Sequence, residues 1–80
     1  MSRLTLYYFE SCPFCQRVLS YLKEASISIP MKDILVNPVY KQELFKIAGR
    51  TQVPCLVIDG KALYESDDII QWFKDNRKKS

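Results

Sequence analysis

The stretch Leu4-Thr5-Leu6-Tyr7-Tyr8-Phe9-Glu10-Ser11-Cys12-Pro13-Phe14-Cys15 decides how the rest of the chain is read. Residues 3–9 are rich in apolar and aromatic β-formers with little alternation, the pattern of a central strand covered on both faces. Glu10 and Ser11 break that run. Pro13 suits the first position of a helix, where its missing N–H is no loss. Beyond it Cys15, Val18, Leu19, Leu22 and Ala25 recur at helical spacing along one face. Two cysteines three positions apart therefore sit where a strand gives way to a helix.

Residues 28–35 read as a second strand, and Pro30, which cannot donate to a ladder, confines it to a sheet edge. Asn37-Pro38 is an N-cap followed by proline at the first helical position. The helix so begun runs to about Ala48 with Tyr40, Leu44, Ile47 and Ala48 on its inner face, and Gly49 stops it. Residues 54–58 and 61–64 flank Asp59-Gly60, a favoured two-residue hairpin turn. Ser66 is expected to cap a last helix, with Asp67 and Asp68 in its first turn and Ile69, Ile70 and Phe73 facing inward. Trp72 reads as a packing residue of that helix.

The order β-α-β-α-β-β-α follows. A first βαβ unit must be parallel and right-handed, and a hairpin must be antiparallel. The expectation is one α/β domain over residues 1–80, a mixed four-stranded sheet with three helices on its two faces.

Composition narrows the functions. Of 80 residues 48% are hydrophobic and 26% charged, the balance of an ordinary globule, and no apolar run is long enough to cross a bilayer. No membrane association, signal peptide or secretion is expected, so the default address is the cytoplasm. The net charge of +3 is mild, and Lys74, Arg77, Lys78 and Lys79 fall where they complement the C-terminus of the last helix rather than making a nucleic-acid patch. The three cysteines cannot all pair internally, and with no histidine neither a common zinc site nor a histidine-assisted hydrolase is available. No metal is expected.

The chemistry rests on Cys12 and Cys15. Cys12 falls at the start of a helix, where unpaired N–H groups and the helix dipole favour a thiolate, the species that attacks disulfides. Cys15, about one turn on and facing inward, suits a resolving thiol. A Cys-x-x-Cys pair in a βαβ context is a thioredoxin-like redox signature. Cys55, after Pro54 at the start of a strand, reads as a core residue, with oxidation or an interchain bridge as the alternative.

With these residues in view the chain resembles the glutaredoxin family over essentially its whole length. The resemblance is carried by Cys12-Pro13-Phe14-Cys15, by Gly49-Arg50-Thr51-Gln52-Val53-Pro54, by the Asp59-Gly60 hairpin and by Ser66-Asp67-Asp68-Ile69. It implies a thioredoxin-like fold, a cis peptide bond before Pro54, and glutathione as co-substrate with no permanently bound cofactor. It places glutathione against Phe14, Val53, Pro54, Glu65, Ser66 and Asp67: the main chain of Val53 pairs with the tripeptide, and Asp67 takes its ammonium group. Phe9 stands where the family commonly has a lysine, so one cation for the glycyl carboxylate is missing, with Arg50 as a possible replacement. The family's Gly-Gly before the last helix is also absent. Tyr64-Glu65-Ser66-Asp67 is instead similar to the N-terminal domain of glutathione transferases, although a complete transferase is not expected from this chain. The implied activity is reduction of protein disulfides and glutathione mixed disulfides by a monomer. The alternatives are a redoxin recharged by thioredoxin reductase for one protein partner, and a glutathione-binding module without turnover.

Overall fold

The computed structural model describes residues 3–77. The elements are β1 (Leu4–Tyr8), α1 (Pro13–Glu24), β2 (Met31–Asp33), α2 (Pro38–Ala48), β3 (Cys55–Ile58), β4 (Lys61–Tyr64) and α3 (Ser66–Arg77). The strands form one sheet in the order β2-β1-β3-β4. β1 pairs parallel with β2 and antiparallel with β3, and β3 pairs antiparallel with β4. The expected fold class is the observed one.

Strand periodicity sorts the core into two layers. Leu6 and Leu56 are register partners and face α1 and α3, where they meet Val18, Leu22, Ile69 and Phe73. Tyr7, Cys55 and Val57 face the other way, against Leu44 of α2 and Ile34. Leu6, Leu44 and Leu56 are fully buried, each contributing about 1.5–3 kcal/mol relative to exposure. Trp72 packs at the edge of the first layer, its ring T-shaped against Phe73 at 5.2 Å between centroids. A polar clasp joins α2 to the sheet: Tyr7 Oη donates to Glu43 Oε1 at 3.1 Å and Lys32 Nζ to the same oxygen at 2.6 Å. The Lys32 hydrogen bond holds the Glu43 carboxyl below its ordinary value.

Three details differ from the sequence reading. The second strand is three residues long, not eight. Asp33 Oδ1 accepts the N–H groups of Leu35 and Val36, turning the chain out of the ladder where the side-chain pattern would have let it continue. Ile47 lies 41% exposed, whereas Leu44 is buried and Tyr40 and Ala48 pack against the same core cluster. Ser66 is not the cap of α3 but its first residue: the first intrahelical bond runs from Ile69 N–H to the Glu65 carbonyl. Glu65 itself has φ 73°, the left-handed turn that swings the chain from β4 into the helix.

The other ends behave as expected. Asn37 Oδ1 accepts from Val39 N–H at 3.0 Å, and Gly49 closes α2 with φ 78°. Asp59 and Gly60 both have positive φ, as a tight hairpin turn requires. Lys78 and Lys79 of the basic tail lie outside the described residues.

Candidate active site around the cysteine pair

Cys12 is the N-cap of α1, in extended conformation with φ −80° and ψ 121°, and its carbonyl accepts from Gln16 N–H at 3.0 Å. Its side chain makes no capping bond. Pro13 follows at the first helical position. Phe14 turns outward and is 59% exposed, while Cys15 is completely buried. Burial is the main reason the Cys15 thiol is pushed up to about 12; its hydrogen bond to Cys12 acts in the same direction. Both thiols are free, and so is Cys55. Both thiols are therefore buried, Cys12 at the helix terminus with 7% exposure and Cys15 fully enclosed and held protonated behind it.

A cleft of about 230 Å³ opens beside this pair, lined by Phe14, Gln52, Val53, Pro54, Glu65 and Ser66. Three separate segments meet there: the first turn of α1, the loop into β3 and the turn into α3. The Val53-Pro54 bond is cis. Larger hollows of about 490 Å³ lie on the outer face of α2 and at the far end of the sheet, but none of their lining residues belongs to the Cys12–Cys15 motif. The small cleft matters because it alone among these includes a residue of the cysteine motif.

Arg17, on α1, reaches across to α3. Its Nη1 donates to Ser66 Oγ at 3.4 Å and its Nη2 pairs with Asp67 Oδ1. Arg50 lies elsewhere, its guanidinium 4.2 Å from the centroid of the Tyr64 ring.

A family model for the N-terminal domain of glutathione S-transferase matches residues 6–80. Glutaredoxin 3 of Escherichia coli is 32% identical over 69 residues, which cover 86% of this chain and 83% of that protein. The chain belongs to the thioredoxin-like family that glutaredoxins share with the N-terminal domain of glutathione transferases. Among solved structures, glutathione transferase Omega 3C from Trametes versicolor superposes with a TM-score of 0.79 at 33% identity. It covers 94% of this chain, which spans only 34% of that transferase. Glutaredoxin C1 from Populus tremula x tremuloides has a TM-score of 0.68 at 22% identity, over 91% of this chain and 75% of its own, and supports the fold alone.

For a glutaredoxin-like chain, the residues singled out from sequence are gathered in one place. Phe14, Val53, Pro54, Glu65 and Ser66 line the cleft, and Asp67 stands next to Ser66 at the start of α3. Arg50 is drawn to Tyr64 rather than into the cleft lining. Two residues escaped the sequence reading. Gln52 lines the cleft, and its position inside the Thr51-Gln52-Val53-Pro54 run was the available signal. Arg17 had no signal, because its contact with Ser66 and Asp67 depends on how α1 packs against α3. Among the described residues no group of His, Cys, Asp and Glu is placed to hold a metal, and no helix is long and apolar enough to cross a membrane.

Proposed function

We propose that this chain is a glutathione-dependent thiol–disulfide oxidoreductase acting on glutathione mixed disulfides and protein disulfides. The observation that carries the reading is Cys12 at the start of α1 with the Phe14–Val53–Pro54–Ser66 cleft beside it. The Cys12 thiolate attacks the glutathione sulfur of a mixed disulfide. A Cys12–glutathione disulfide forms, the substrate thiolate leaves, and solvent protonates it. A second glutathione thiolate then attacks that glutathione sulfur, releasing oxidised glutathione and restoring Cys12. With a protein disulfide, Cys12 forms a mixed disulfide with the substrate. Cys15 then gives up its proton and attacks Cys12, so that a Cys12–Cys15 disulfide forms and the substrate thiolate is released. Two glutathione molecules reduce that disulfide.

Burial holds the Cys15 thiol protonated at neutral pH, so the second route requires loss of that proton before resolution. Glutathione is held as an extended backbone against Val53 and by its γ-glutamyl head at Ser66 and Asp67, an anion at a helix N-terminus being favourable there. In this reading residues 1–80 act as a single domain and as a monomer in the cytoplasm, with no bound metal or permanent cofactor.

A coupled assay with a small glutathione mixed disulfide tests it. NADPH oxidation through glutathione and glutathione reductase is the expected result. Turnover only with thioredoxin reductase would replace this reading with that of a redoxin dedicated to one protein partner. Glutathione binding without turnover would leave a binding module.

A further inference from the structure

We infer that the outer face of α2 carries a docking groove for the protein substrate, and that the segment it takes is acidic and apolar and flanks the substrate's disulfide. The inference rests on the disulfide-reducing function proposed above and names a class of protein partner for it.

One helix face and one loop build the groove. It measures about 490 Å³ and is lined by Pro38, Lys41, Gln42, Phe45, Lys46 and Thr51. The first five recur at steps of three and four residues, so they share one side of α2, away from the buried Leu44. All five are exposed, and the Phe45 ring keeps 58% of its surface open. Thr51 belongs to the loop whose next residues, Gln52, Val53 and Pro54, line the cleft beside the cysteine pair. The two hollows thus share one loop, in which adjacent Cα atoms are about 3.8 Å apart.

The lining selects the occupant. Phe45 and Pro38 offer apolar surface, and two ammonium groups stand along it with no carboxylate among the lining residues. Among the described residues neither Lys41 nor Lys46 has an ion-pair partner, whereas the one acid of α2, Glu43, is already held by Lys32. Cations beside apolar surface favour a segment in which acidic and apolar side chains alternate. A small molecule is a poor match, because no lining residue is buried and small-ligand pockets enclose most of their ligand. A protein chain is a good one: a substrate cysteine carries polypeptide on both sides, and that polypeptide must rest on the surface around the cleft. Lys46 also lies in the last turn of α2, where a cation complements the helix dipole, but that role is indifferent to a partner's charge.

The test reads the first chemical step with cysteine peptides joined through a disulfide to thionitrobenzoate. The Cys12 thiolate attacks the peptide sulfur, the peptide–dye disulfide breaks, and the coloured thionitrobenzoate anion leaves with the bonding electrons. Three peptides differ only in the segments flanking the cysteine: alternating Glu and Leu, alternating Lys and Leu, or Ser and Gly. N-acetylcysteinamide on the same dye is the control. At low salt the wild-type protein is expected to react with the acidic peptide roughly tenfold faster than with the basic one, a margin that shrinks in high salt. Lys46→Glu should slow the acidic peptide about five- to tenfold, speed the basic one by a similar factor, and change the control by less than about twofold. Phe45→Ser should slow both Leu-bearing peptides about threefold or more and spare the Ser-Gly peptide. Lys61→Glu makes the same change of charge at the Asp59-Gly60 hairpin and should leave the preference within about twofold of wild type.

Equal rates for the acidic and basic peptides would overturn the inference. So would a shift with Lys61→Glu as large as with Lys46→Glu, which would make the overall charge of the chain responsible. Equal rates together with self-association that Lys46→Glu abolishes in sedimentation would make this face a contact between copies, and would also overturn it. The control separates the two readings: no reaction with the control dye removes the disulfide-reducing function itself, whereas a reactive control with equal peptide rates removes only the docking groove.

Discussion

Cys15 lies one turn of α1 beyond Cys12 and is completely buried, while Phe14 between them is 59% exposed. Burial, above all, pushes the Cys15 thiol up to about 12, so the proton stays on the inner sulfur throughout the neutral range. In the proposed mechanism the two cysteines divide the labour by position, with no histidine to act as a base.

That division predicts distinct phenotypes. Cys12→Ser should reduce every disulfide reductase activity to background, because a hydroxyl without a base is a poor nucleophile. Cys15→Ser should keep most of its turnover of glutathione mixed disulfides and lose most of its reduction of protein disulfides. The pH profiles should differ as well. Below a thiol value of about 12, the Cys15 thiolate fraction rises tenfold per pH unit, so single-turnover resolution through Cys15 should still be accelerating at pH 10. The glutathione route, which does not use Cys15, should not share that rise. Parallel profiles in stopped-flow measurements would contradict the assignment.

Asp67→Ala separates recognition from capping. Asp67 sits in the first turn of α3, and its charge there complements the helix dipole by about 0.3–1 kcal/mol, a loss visible in unfolding but blind to substrate. The proposed contact with a γ-glutamyl ammonium predicts in addition a KM about tenfold higher for glutathione mixed disulfides. A disulfide without the γ-glutamyl group should be unaffected. Steady-state kinetics on the two substrates decide; equal change in both would leave only the dipole role.

Alkaline solution should destabilise the reduced protein in a defined window. Burial pushes Cys55 from 9.0 up to about 11, so the folded chain keeps a proton that the unfolded chain releases. A raised folded value stabilises fully below pH 9 and is lost as pH climbs toward 11. Between pH 8 and 10 the loss from this one thiol is about 1 kcal/mol. Urea unfolding of Cys55→Ala should start lower at pH 8, from the lost packing, and then fall by about 1 kcal/mol less than wild type on going to pH 10. Equal falls would mean Cys55 does not titrate in that window.

Tyr64 offers a substitution that should not hurt. Its Oη is buried and finds no hydrogen-bond partner among the described residues, while its ring stacks on Arg50 at 4.2 Å. Tyr64→Phe keeps the ring and removes the unpaired hydroxyl. Stability should be unchanged or rise by about 1 kcal/mol in thermal or urea unfolding. A drop of that size would show that the hydroxyl has a partner.

Much of this architecture was legible in the residues. The αL stop at Gly49, the Asn37 cap and the Asp59-Gly60 turn are local features, set by side chains within a few positions, and each appears where expected. So does the strand-to-helix step at Cys12. What escaped involves partners far apart in the chain or competing local bonds. The Asp33 side chain ends β2 early by capturing two N–H groups, a choice invisible to hydrophobic pattern. Ser66 looked like a cap because serine often is one, but the positive φ of Glu65 moves the helix start and turns the hydroxyl toward Arg17. The link from Arg17 to Asp67 crosses 50 positions and exists only once α1 and α3 have packed together.

The sheet order has a consequence for how the chain is born. β1 is central, with β2 on one side and β3 on the other, and Leu4 finds its partner only at Ile58. At a synthesis rate of about 5–20 residues per second, the first strand made therefore waits roughly three to ten seconds for its second neighbour. During that interval Leu6, Tyr7 and their neighbours have one open flank while still tethered to the ribosome. The cysteine helix and the early βαβ unit can form in that time, but the cleft cannot, because Val53, Pro54 and Ser66 have not all yet emerged. Nascent chains stalled before residue 58 should be open to protease along β1, and chains released beyond it should close.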